Sequence, residues 1–104
     1  MRIKGFNLGG WLLMEGYILG GRNIPESAFK RRFQKRYGRK ELKNFERLFR
    51  GNFIQEKDFE GISLMGASAL RIPFHHCLLE ERPFRYSEEG FEYLTQILRW
   101  AEKY

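Results

Sequence analysis

Two short apolar runs, Ile3–Leu8 and Ser68–Ile72, constrain this chain more than any other feature, because helical patterning follows each of them. The first alternates apolar and polar residues and stops at Gly9-Gly10, the signature of a short strand. The second is closed by Pro73, which cannot continue a central ladder, and reads as a second strand. Trp11–Leu19 is apolar, but glycine pairs bracket it and Gly16 interrupts it, so it reads as an ordered loop leaving the first strand. Pro25-Glu26-Ser27 opens a helix in which Phe29, Phe33 and Tyr37 recur at spacing four, and Gly38 ends it. Leu42, Phe45, Leu48 and Phe49 form the stripe of a second helix, with the basic residues of both on their other faces and a break at Gly51-Asn52. Gln55–Met65 reads as a third helix, turned inward through Phe59 and Ile62 and capped by Gly66. Pro83 and Ser87 introduce a last helix, with Ser87 as N-cap and Glu88 and Glu89 where the helix dipole favours acids. Phe91, Leu94, Leu98 and Ala101 make one stripe on it, and Tyr93, Ile97, Trp100 and Tyr104 a second, together a face too wide for a free surface helix.

The order is strand, long insertion, helix, strand, loop, helix, which predicts an α/β fold with a parallel sheet covered by helices. Two parallel strands alone would leave both edges open. The chain also stops at Trp100–Tyr104, where a βα repeat would turn into its next strand, so it reads as an unfinished architecture.

Composition bounds the alternatives. A chain of 104 residues with ten Phe, five Tyr and two Trp has too many large apolar side chains for a linker, and is one domain or a piece of a larger one. No apolar run reaches the length of about 18 residues that a membrane span needs, and no secretory leader is visible after Met1-Arg2-Ile3-Lys4. Cys77 is the single cysteine, which excludes an internal disulfide and slightly favours a reducing cytoplasm. The net charge of +6 is concentrated: residues 30–50 hold ten Lys and Arg against Glu41 and Glu46, while the rest has nine bases and eleven acids. Any nucleic-acid reading must rest on that basic segment.

Gly5-Phe-Asn-Leu-Gly-Gly-Trp-Leu-Leu-Met-Glu-Gly-Tyr17 resembles the opening of glycoside hydrolase family 5, particularly its exo-β-1,3-glucanase-like members. A second block agrees, with Phe53-Ile54, Glu56, Asp58-Phe59 and Gly66 preceding Leu70-Arg71-Ile72-Pro73-Phe74. A third, Tyr86–Phe91 leading to Trp100-Ala101, is similar to the second barrel helix of that family. Three blocks in order cover nearly the whole chain. The resemblance implies a (β/α)₈ barrel, a fold of typically about 250 residues, of which residues 1–104 would be the N-terminal fragment carrying the first two βα units and an insertion at about 20–52 after strand one. It implies a retaining hydrolase of β-glucans that works with two glutamates. Those glutamates lie at the ends of strands four and seven of the family barrel and the family's histidine-bearing strand is the third, so no catalytic residue is expected in this chain and alone it is expected to be inactive.

What the resemblance leaves here is part of a substrate pocket built from residues 9–54 and 74–86. Arg71 matches the family arginine beneath the sugar of the −1 subsite, where a fixed guanidinium would orient a carboxylate and keep it ionised. Glu15 matches a loop glutamate that accepts hydrogen bonds from sugar hydroxyls, and Tyr17 would be its aromatic neighbour. The family often has Pro where this chain has Gly16, and Trp11 is read as packing beneath the loop. The expected partner is a β-glucan or β-glucoside, with no cofactor, no membrane and no specific nucleic acid. His75, His76 and Cys77, taken as an extended segment whose side chains alternate in direction, predict no metal site, only loop lining. Two alternatives stay open: a barrel remnant that binds or assembles, self-associating through exposed strand edges, and nucleic-acid binding through residues 30–50.

Overall fold

The computed structural model describes residues 2–18 and 20–104; Leu19, the end of the apolar loop run, and Met1 lie outside the described residues. Strand β1 (Gly5–Asn7) and strand β2 (Ala69–Arg71) pair in parallel, with Gly5 opposite Ala69 and Asn7 opposite Arg71. Between them run three helices, α1 (Glu26–Tyr37), α2 (Arg39–Asn52) and α3 (Glu56–Leu64). A 3₁₀ turn at His76–Leu78, a hairpin of β3 (Glu80–Arg82) and β4 (Arg85–Tyr86), and helix α4 (Glu88–Lys103) complete the chain. The molecule is a small α/β structure whose parallel pair matches the expectation from the two apolar runs.

The parallel association continues past the ladder. Leu8 N–H donates to Arg71 O at 3.0 Å, and Leu12 bridges Phe74 in parallel, with His75 N–H donating to Leu12 O at 3.0 Å. The loop after β1 is therefore a third rail beside the segment after β2. It also supplies much of the core: Leu8, Trp11 and Leu12 are buried together with Phe59 of α3, Leu78 of the 3₁₀ turn and Ile97 of α4. Trp11 packs inside as expected, and its indole N–H donates to Arg50 O at 2.8 Å, tying the loop to the end of α2.

Helices α1 and α2 meet through an aromatic ladder. Phe45 sits 5.8 Å from Phe29 and 5.2 Å from Phe33 between ring centroids, and Phe49 stacks on Phe53 at 5.0 Å. Helix α3 ends in a full Schellman motif: Gly66 takes φ 88°, its N–H bonds Ser63 O, and Ala67 N–H reaches back to Ile62 O. Ser87 caps α4, its hydroxyl accepting from Gly90 N–H at 3.2 Å.

Several expectations fail in detail. Helix α2 runs through Gly51-Asn52 without a break, with the Asn52 side chain donating to Leu48 O one turn back. Leu48 does not join the inner stripe but is 66% exposed. On α4 Tyr93, Leu94, Ile97 and Trp100 pack inward, while Phe91, Leu98 and Tyr104 are exposed, so neither predicted stripe is buried along its whole length. Residues 74–86 are not a plain loop: they hold the 3₁₀ turn and the hairpin, and Pro83 lies in the hairpin turn beside Phe84, not at a helix start. The basic residues are not all on outer faces either. Lys30 Nζ lies 3.1 Å from Glu26 and 3.2 Å from Glu46, and Arg50 lies 3.7 Å from Glu46, with both acids buried.

Candidate functional site

The parallel register brings Asn7 and Arg71 side by side at the ends of β1 and β2, and Arg71 Nη1 donates to Asn7 Oδ1 at 2.9 Å. Four of the guanidinium's five N–H groups lie outside that bond, and the side chain is exposed. The chain then turns through Gly9, which stands between two polar groups. A Cβ there would lie 3.1 Å from Asn7 Nδ2 and 3.2 Å from Glu15 Oε1. Arg71, Asn7 and Glu15 thus line up around one small residue.

Glu15 is held from its other oxygen. Tyr17 donates its hydroxyl to Glu15 Oε2 in a short hydrogen bond. That bond, then the carboxylate's negative charge, raises the Tyr17 pKa above the usual phenol value of 10.0. Gly16 between them cannot carry a side chain, because a Cβ would fall 1.8 Å from Arg22 O where the loop folds back, and Gly21 N–H closes the fold on Gly16 O at 2.7 Å. The proline that the family resemblance leads one to expect at this place has no room here.

Beneath the loop, Glu26 at the start of α1 accepts from Met14 N–H through Oε1 at 2.8 Å, which fixes the stretch carrying Glu15. An open depression of about 430 Å³ lies alongside, lined by Met14, Glu15, Tyr17, Ile24, Glu26 and His75. Arg71 does not line it. The structure therefore brings Glu15 and Tyr17 into contact, links Arg71 to them through Asn7 and Gly9, and sets His75 on the depression's wall.

Known proteins match over this whole arrangement. Glucan 1,3-β-glucosidase 2 of Wickerhamomyces anomalus is 32% identical across 99% of the chain, a match spanning 26% of that protein. The sporulation-specific glucan 1,3-β-glucosidase of Saccharomyces cerevisiae is 30% identical over the same shares. The chain is similar, over nearly its whole length, to part of the glucan 1,3-β-glucosidases. Endoglucanase C of Acetivibrio thermocellus, 37% identical over half of the chain, extends the relationship to cellulase-like glycoside hydrolases. The resemblance read from the three motif blocks is upheld. The chain spans about a quarter of the length of these relatives, and no family model matches it.

Two residues of the candidate site were not legible as such. Asn7 sits in the strand motif, but only the register of β1 on β2 shows that it anchors Arg71. Glu26 reads as an ordinary acid in a first helical turn, and nothing local announces that Met14 and His75 come to it. The triplet after β2 differs from its sequence expectation for a clear reason. Residues 76–78 form a 3₁₀ turn, not an extended segment, so His75, His76 and Cys77 converge, with one ligand atom of each lying within 4.8 Å of the others. The rings of His75 and His76 stack at 4.4 Å. Burial pushes the His75 pKa below its ordinary value, and nearby Glu26 opposes that shift.

Proposed function

We propose that residues 1–104 supply the first two βα units of a (β/α)₈ barrel in a β-glucan hydrolase, with residues 20–52 as an insertion after β1. Arg71, Glu15 and Tyr17 are its sugar-binding residues, and the chain alone is inactive because both catalytic glutamates belong to later strands. The observation that carries this reading is the parallel β1–β2 register, which ends in the Asn7–Arg71 hydrogen bond with Glu15 close by. In such barrels the chemistry gathers at the carboxyl ends of the strands, where these residues stand.

Each group has a role it can perform from where it is. Asn7 holds one edge of the Arg71 guanidinium, and the remaining donors would orient a carboxylate contributed from elsewhere in the barrel. Tyr17 engages Oε2 of Glu15, which leaves Oε1, beside Gly9, to accept from a sugar hydroxyl in a charge-assisted bond. The half-exposed ring of Tyr17 offers an apolar face to the C–H side of the sugar.

The 104-residue chain should release no chromophore from an aryl β-glucoside and no reducing ends from laminarin. Joined to the remaining strands of a glucan 1,3-β-glucosidase barrel, the chain should turn both assays positive. Glu15→Ala should there lower kcat/KM by about 10–100-fold, the loss of one hydrogen bond to a charged acceptor. Turnover by the short chain, or an unaffected Glu15→Ala enzyme, would sink this reading.

A second reading, a non-catalytic assembly module, draws on the surface. The chain exposes 7841 Å², whereas a compact protein of its mass would expose about 6,200 Å². Nucleic-acid binding has less to stand on, since Glu26 and Glu46 draw Lys30 and Arg50 into internal contacts and away from solvent.

A further inference from the structure

We propose that His75, His76 and Cys77 form a binding site for a borderline divalent cation of the Zn²⁺ type, with Glu26 orienting His75 from behind. The proposal stands on the 3₁₀ turn and does not depend on the glucanase reading. Cys77 Sγ lies 3.5 Å from His76 Nε2. Two ligands at ordinary Zn–N and Zn–S lengths in a tetrahedral shell stand about 3.6 Å apart, so this pair is already spaced as two corners of one coordination sphere. The third donor, a ring nitrogen of His75, falls within the same 4.8 Å cluster, and coordination would draw the three donors together. Two imidazoles and a thiolate are the donor set that selects Zn²⁺ or its neighbours over Mg²⁺ or Ca²⁺.

Glu26 is the second, independent observation. Its Oε2 is buried and has no hydrogen-bond partner among the described residues, although its side chain is only 1% exposed. It lies 3.6 Å from His75 Nδ1, and Lys30 Nζ lies 3.1 Å away without the angle of a hydrogen bond. An orphaned carboxylate oxygen behind a histidine is what a metal-bound imidazole uses: Nδ1–H donates to the carboxylate, and the ring's other nitrogen is left for the ion. In the metal-free form Nδ1 instead accepts from Cys77 N–H at 3.1 Å. Binding would exchange that bond for one to Glu26, satisfy Oε2, and release the Cys77 thiol proton to solvent as the Sγ–metal bond forms. Lys30 already balances Glu26, so the thiolate supplies the site's net negative charge. Water completes the shell.

The test is a titration of the reduced full 104-residue chain with Co²⁺, followed by displacement with Zn²⁺. One equivalent of Co²⁺ should give the near-ultraviolet thiolate-to-metal charge-transfer band and the visible bands of a tetrahedral centre. Cys77→Ser should abolish the charge-transfer band, and His76→Ala should weaken binding by at least about tenfold. Glu26→Gln should weaken it by about 10–100-fold, the range for losing the group that orients a ligand. Because Glu26 is buried, far-ultraviolet circular dichroism accompanies each variant; His76 is exposed, so its variant keeps the test decisive even if Glu26→Gln unfolds. No charge-transfer band in the unaltered chain, a band that survives Cys77→Ser, or unchanged affinity in His76→Ala would overturn the site.

Discussion

The Glu15 carboxylate accepts a hydrogen bond from the Tyr17 hydroxyl, and this makes the phenol report on the loop. Ionising Tyr17 would break that bond and set two negative charges together, so its pKa stands above the usual value. Replacing Glu15 with Gln removes the negative charge, and ultraviolet titration should show one tyrosine moving down toward the ordinary phenol range. A titration curve unchanged by Glu15→Gln would mean that the contact does not form in solution. Arg71, Glu15 and Tyr17 could be singled out as candidates because they stand in motif blocks whose neighbours match a known pattern. Asn7 and Glu26 could not, since each owes its role to a partner far along the chain: Arg71 for Asn7, His75 for Glu26. A one-dimensional pattern carries no such register information.

The helices were legible from apolar spacing and caps. The hairpin was not, because strands of three and two residues are too short to show alternation, and Pro83 with a following Ser reads equally as a helix entry. What fixes this region is contact with α4. Gly90, in the first turn of that helix, lies so close to the 3₁₀ turn that a Cβ would fall 1.8 Å from Leu78 O, and Ser87 N–H donates to Leu79 O at 2.8 Å. In an isolated helix, alanine would improve on glycine. Here Gly90→Ala must push α4 off the turn, and urea denaturation should show a loss of about 1–3 kcal/mol, the range for overpacking a tight contact. A stabilised variant would mean that α4 docks more loosely than its geometry indicates.

At the scale of the whole molecule, the radius of gyration is 15.0 Å, against about 13 Å for a compact domain of this length. Phe6 of β1, Phe74, and Phe91 and Leu98 of α4 are all exposed, and among the described residues neither β1 nor β2 has a second strand neighbour in its sheet. No described helix is long and apolar enough to cross a membrane. Sedimentation velocity at micromolar concentration should show self-association that grows with concentration, driven by these faces and edges. A monomer that unfolds cooperatively at every concentration would contradict it. The sequence announced these open sheet edges through its two strand-like runs. It could not show that Phe91 and Leu98 of α4 would be uncovered while Leu94 packs inward, because all three stand in one apolar stripe.

The pairing of β1 with β2 also governs time. Lys4 N–H donates to Ser68 Oγ across 64 positions of sequence, so the sheet can close only after that length of chain has been gathered in. The α1–α2 aromatic ladder needs no such search, since Gly38 alone separates the two helices. Local contacts of this kind form early, and distant pairings must first overcome loop-closure entropy. In stopped-flow refolding, Phe33→Leu should slow the folding arm, whereas Ala69→Gly in β2 should chiefly quicken unfolding. The strands that place Arg71 beside Asn7 would be among the last parts of the molecule to assemble and the first to come apart.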